Sequence, residues 1–136
     1  MRRPVILSLG IALLPAAVAA TQPSALANVS GGLWEITGAP GSQRPIRQCV
    51  ADILKLAQFE HRGQNCSRSV LSDSQSSTRI DYKCGAAGFG TTQVDVITPR
   101  SLRISTQGIS DQLPFNYVLQ AHRVGDCDKS LSLPHH

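Results

Sequence analysis

Leu113, Phe115, Tyr117, Leu119 and Ala121 alternate with Pro114, Asn116, Gln120 and His122, and Val118 is the one apolar exception. A period of two puts the first set on one face of a β-strand and the second set on the other. Shorter runs of the same kind recur upstream. Residues 33–37 and 46–50 are brief β-type runs, and 91–98 carries Val94 and Val96 on one face. Leu102, Ile104 and Thr106 alternate with Arg103 and Ser105. Turn formers separate these runs: 38–45, 85–88, Pro99-Arg100, 108–111 and 125–127. One segment departs from the alternation. Val50, Ile53, Leu54 and Ala57 fall at i, i+3, i+4 and i+7, which predicts a helix over 51–60. Asp52 lies at its start, where the helix dipole favours an anion.

Together these patterns predict a mainly β fold: an antiparallel meander of about seven short strands with one short helix inserted after the second. Each strand has one apolar face. A sheet curling into an open barrel or a flattened sandwich buries all of those faces at once. The chain of 136 residues is long enough for a single domain, expected over 31–127.

The N-terminus reads as targeting rather than fold. Arg2 and Arg3 precede an uncharged apolar run over 5–14, Pro15 ends it, and small residues follow to Ala20. This is the layout of a secretory signal peptide, with cleavage expected after Ala19 or Ala20. The run is too short to span a bilayer as a helix, so no stable membrane insertion is expected after cleavage. Residues 21–30 read as a flexible lead-in and 128–136 as a disordered tail. Losing the first 20 residues lowers the net charge from +4 to +2. The remaining arginines are scattered, which argues against nucleic-acid binding.

Export changes the reading of the four cysteines, Cys49, Cys66, Cys84 and Cys127. An even count in a small exported domain predicts two disulfides. The separations of 17, 18 and 43 contain no C-x-x-C pair, so neither a zinc ribbon nor a thioredoxin-type site is supported. Three connectivities are open. A hairpin over 66–84 with its loop at 74–76 would set Val70 against Ile80, Arg68 against Tyr82 and Cys66 against Cys84. Cys49 and Cys127 would then pair. The rival clamps the helix with Cys49–Cys66 and leaves Cys84–Cys127. Each bond would contribute roughly 3–4 kcal/mol by closing a long loop.

No catalytic constellation stands out. Nothing pairs Glu35 with Glu60, there is no G-x-S-x-G elbow, and His61 and His122 are isolated. A Ser–His–acid triad can be imagined around either histidine in any chain of this composition. The glycines of 85–90 precede no helical pattern, so they read as a tight turn or bulge rather than a phosphate loop. No metal, cofactor or catalytic residue is expected. The aromatic residues Trp34, Tyr82, Phe115 and Tyr117 are the candidates to line a ligand site, although a single Trp in a small β domain is more often core.

The order of elements resembles the bacterial exported family named "domain of unknown function 3617". The resemblance rests on Gly32-Leu33-Trp34-Glu35, Cys49 leading a short helix, a Cys66–Cys84 hairpin and a terminal Arg123-Val124-Gly125-Asp126-Cys127. Val50-Ala51-Asp52 stands where that family has a Thr-Pro-Glu-type helix start. The resemblance implies export and supplies no activity. The stretch from Tyr82 to Ile104 also resembles small periplasmic lysozyme inhibitors. The expectation is a periplasmic, non-enzymatic module that binds a small or envelope-derived ligand. The alternative is a protein-interaction module such as an inhibitor of an envelope-directed hydrolase.

Overall fold

A computed structural model describes residues 1–7, 9–15 and 22–128. The expected cleavage site and all but the first residue of the expected tail lie outside them. Seven strands form one antiparallel sheet: β1 (Gly32–Thr37), β2 (Ile46–Val50), β3 (Ser67–Asp73), β4 (Ser77–Lys83), β5 (Gly88–Thr98), β6 (Ser101–Ser110) and β7 (Leu113–Gly125). Their order is β2-β1-β7-β6-β5-β4-β3, and the sheet does not close into a barrel. β3 to β7 run as a meander, and the β1–β2 hairpin docks on β7 through pairs such as Ile36 with Ala121.

This order sets the task of the connection after β2. The chain leaves one edge of the sheet and must start β3 at the opposite edge. It crosses the inner face through helix α1 (Leu54–Ala57) and a 3₁₀ turn at Phe59–His61. The alternation seen in the sequence decides what it meets there. Ile80, Val94, Leu102, Ile104, Leu119, Ala121, Trp34 and Ile36 all point inward. They are sealed under Ile53, Leu56, Ala57 and Phe59. Each large aliphatic side chain removed from water contributes about 1.5–3 kcal/mol. The outer face carries Glu35, Gln93, Arg103, Asn116 and Gln120 and stays wet, as an antiparallel sheet allows.

The helix is shorter than the expected 51–60. Asp52 Oδ1 accepts the Leu54 N–H at 3.0 Å, so the helical turn begins late. Gln58 leaves the helical conformation at φ −117°, ψ 41°. Its buried amide donates to the carbonyls of His61 at 3.0 Å and Gln64 at 2.9 Å, satisfying the chain end that the broken helix exposes. Two strands are longer than expected. β5 begins at Gly88, not 91, and β6 runs through Gly108 to Ser110, where a break was expected. The turn is instead Asp111-Gln112, both at positive φ (47° and 69°), the hand that matches strand twist in a two-residue hairpin. β7 overruns the core at its start, which leaves Leu113 exposed.

The lead-in also departs from its reading as a flexible segment. Asp73 accepts backbone N–H groups of Ser24 at 2.7 Å and Ala25 at 3.2 Å, which anchors a 3₁₀ turn at Ser24–Leu26. The Ser24 N–H holds the Asp73 carboxyl below the usual carboxylate range. Leu26 and Val29 then join the core.

Both disulfides follow the hairpin reading: Cys66–Cys84 and Cys49–Cys127, with no free cysteine among the described residues. Ser67 faces Lys83, Arg68 faces Tyr82 and Val70 faces Ile80, so the cysteines meet one step further on. A bulge between Val70 and Ser72 shifts the register by one towards the loop, where Asp73 faces Thr78. The other bond reaches from edge strand β2 across β1 to the chain just past β7. Two disulfides in a small β domain fit an oxidising compartment. Among the described residues no helix is long and apolar enough to cross a membrane. The apolar side chains of 5–14 that are described stand exposed, outside the core.

Candidate functional site

Glu60, His61, Tyr82, Thr106 and Tyr117 gather at one end of β4–β7. The connection lays His61 under this end, 4% exposed. Its Nε2 lies 3.0 Å from the Ala87 carbonyl oxygen. A carbonyl can only accept, so Nε2 carries a proton, and Nδ1 lies 3.1 Å from the Tyr82 hydroxyl, within hydrogen-bond distance. Burial pushes the Tyr82 pKa up to about 12, with a Thr106 hydrogen bond opposing and the Glu60 charge adding. Tyr117 donates to Glu60 Oε2 at 2.7 Å. Its own pKa is raised first by burial and then by that hydrogen bond. Phe115 packs between, 6.0 Å from the His61 ring and 5.7 Å from the Tyr117 ring.

The Tyr82 ring needs space that only glycine gives. Tyr82 pairs with Gly90, and a Cβ at Gly90 would stand 2.6 Å from the Tyr82 Oη. Gly90 in turn pairs with Gly108. Two facing glycines strip the inner face of the sheet of side chains at this point, where the Tyr82 ring lies. On the outer side a groove of about 420 Å³ opens over them. Phe89 and Ile109, a direct cross-strand pair, border one side, and Thr91, Gln107 and Asn116 border the other. Phe115 reaches it beside Gly108. A polar depression of about 180 Å³ adjoins it, shares Thr91, Gln107 and Asn116, and continues to Gln93, Ser105 and Arg79. The groove volume lies within the range of small-ligand sites.

Two other places were candidates for chemistry. His122 does meet a serine: its Nδ1 lies 2.7 Å from Ser101 Oγ. Glu35 faces His122 across β1–β7, but its carboxylate is taken by Arg47 at 3.1 Å. This row lies on the open outer face, where nothing excludes water. A depression of about 220 Å³ is lined by Asn28, Ser30, Pro99, Arg100 and Arg123. Arg123 is committed there, to the Gly31 carbonyl at 2.9 Å and to Asp126 at 2.7 Å. Among the described residues no three His, Cys, Asp or Glu side chains converge as a metal site.

Of the four aromatic candidates, the structure brings Tyr82, Phe115 and Tyr117 together around His61. Trp34 stands apart, fully buried, donating to the Ser30 carbonyl at 3.2 Å. Only Phe115 borders the groove. Phe89, Thr91, Gln107, Ile109 and Asn116 were not singled out from the sequence. The signal for them was period-two alternation, which puts them on the outer face, and it gathers them into one groove only once the register of β5, β6 and β7 is known. Glu60 and His61, isolated in sequence, gain partners only through the fold. No protein-family model, curated protein or solved structure matches the chain.

Proposed function

We propose that this is an exported, periplasmic, non-enzymatic binding module, of the kind implied by its resemblance to the exported family. Its ligand site is the outer groove over Gly90 and Gly108. The observation that carries the reading is the groove itself, about 420 Å³ with an apolar side at Phe89 and Ile109 and a polar side at Gln107 and Asn116. The inner face, by contrast, is filled by core side chains. The buried polar groups at this end are engaged within the fold: Glu60 with Tyr117, and His61 with Tyr82 and Ala87. Export is supported by the N-terminal layout, whose apolar run takes no part in the core, and by two disulfides.

The test is native mass spectrometry of the protein purified from its own periplasm, beside a Phe89→Ala/Asn116→Ala variant. A bound mass present on the parent and lost from the variant supports the reading. A retained protein partner, or a ligand that the variant keeps, would overturn it. N-terminal sequencing of the same sample should find the chain starting at Ala20 or Thr21, and an intact Met1 would remove the export claim.

A further inference from the structure

We propose that the groove and the polar depression beside it take a neutral, hydroxyl-rich ligand, a short saccharide strand. This rests on the binding reading above and names its ligand class. The two depressions are continuous through a row that crosses three strands. Thr91 faces Gln107, and Gln107 faces Asn116. The next outward row is Gln93 facing Ser105. A carboxamide offers donors and an acceptor, and a hydroxyl offers both. Sugar hydroxyls also both donate and accept, so the carboxamides of Gln107 and Asn116 can pair with them in both directions, while the Thr91 hydroxyl, which donates to Asp81, can accept. A lining of donors alone would mark an anion site, and an apolar lining alone a lipid site.

The charges at the margin agree. Among the described residues, Arg79 is the single ionisable residue that borders either depression. On β4 the same outer face carries Asp81, whose Oδ1 accepts the Thr91 hydroxyl at 2.6 Å. Across the β4–β5 pair it meets Asp95, which accepts from Ser77 at 2.8 Å and Gln93 at 3.0 Å. Lys83 faces Phe89 and Arg103 faces Asp95 on the same outer side, so three cations and two carboxylates are interspersed around the depressions, and of the three cations Arg79 alone borders them. At the other end the Phe89 ring is 53% exposed. It offers a flat apolar platform of the kind the C–H face of a pyranose covers. Successive outward rows are about 7 Å apart, so Phe89 to Gln93 spans about 14 Å. That length suits an oligosaccharide better than a single sugar.

The experiment is an amide NMR titration of the exported chain, disulfides intact, with three probes: chitotetraose, maltotetraose and dodecanoate. Saturable shifts at Thr91, Gln107 and Asn116 with a tetrasaccharide are expected. Gln107→Ala or Asn116→Ala should weaken that binding about tenfold, the loss of a paired neutral hydrogen bond. Both side chains are exposed, so the melting temperature should not move. Shifts of these amides by dodecanoate alone would overturn the saccharide and leave the groove standing as a binding site. Tetrasaccharide shifts confined to other strands would also overturn it. If no probe binds while native mass spectrometry shows a mass lost from the groove variant, the ligand class falls and the binding reading survives.

Discussion

At one end of β4–β7 the inward positions are Val94, Leu102, Ile104, Leu119 and Ala121, and the lead-in and helix close over them with Leu26, Val29 and Leu56. At the other end the inward positions are Tyr82, Gly90, Thr106, Gly108 and Phe115, and Glu60 and His61 close over them. The same strands build both ends. Large branched side chains make the first a dry core whose outer surface is an ordinary polar sheet face. Glycine thins the second on its inner side, where the Tyr82 ring takes the space, and the groove lies on its outer side between the Phe89–Ile109 pair and the Thr91, Gln107 and Asn116 row. Its buried polar atoms are held by named partners, so the thinning does not leave it loose.

The comparison can be broken at the sealed end first. Trp34→Ala should cost about 3–5 kcal/mol and Leu119→Ala about 2–5, while the outward neighbour Gln120→Ala should stay within about 0.5. Urea melts read all three, and equal costs at 119 and 120 would mean that the two faces are not distinct. The disulfides follow. Removing Cys49–Cys127 as a paired Ser variant should cost about 4 kcal/mol, and removing Cys66–Cys84 about 3. The difference follows from sequence separations of 78 and 18. Calorimetry of the two variants should rank them in that order.

At the thinned end the effects are smaller and coupled. Gly90→Ala should cost about 1–3 kcal/mol by driving a methyl group into the Tyr82 ring. Combining it with Tyr82→Leu should cost less than the sum of the two single changes, because the clash is then gone. Additive costs would show that Gly90 does not serve the Tyr82 ring. Alkali probes the same place. The folded Tyr82 pKa of about 12 lies above the ordinary value of 10.0. The unfolded chain therefore loses its tyrosine proton first as pH rises. Tyr82 contributes fully below pH 10, and its contribution is lost between pH 10 and 12. Tyr117 shifts in the same direction. Urea midpoints should fall over that window, and less steeply in Tyr82→Phe. Smallest of all, Phe89→Ala should leave stability within about 0.5 kcal/mol.

Much of the sealed end was legible in the sequence, because period-two alternation alone assigns faces. It set Leu119 and Ala121 inward and Gln120 and His122 outward. The 66–84 hairpin also favoured the cysteine pair that the structure has, because the register near Arg68 and Tyr82 follows from apolar pairing on one face, although the Cys49–Cys66 clamp stayed open. What failed was local reading of residues whose role is tertiary. Gly108 looked like a strand break, yet it continues β6 because its cross-strand partner is also glycine. Residues 21–30 looked loose because Asp73, which anchors them, comes far later in the chain. The helix pattern did not show that Gln58 would end it by bonding to carbonyls beyond. The groove was illegible for a further reason. Its rim comes from outward positions of three strands, each an ordinary polar residue in its own segment.

The claim that the molecule is sealed on one face and open on the other is tested most directly by acrylamide quenching of two single-tryptophan proteins. One is the parent, whose sole tryptophan is Trp34, fully buried. The other is Trp34→Phe/Phe89→Trp, which moves the indole to the groove. Trp34 should emit at short wavelength and resist the quencher, and the groove indole should be quenched readily in a protein that still melts cooperatively. Equal quenching at the two positions, or a shielded indole in the groove, would contradict the contrast between the two faces.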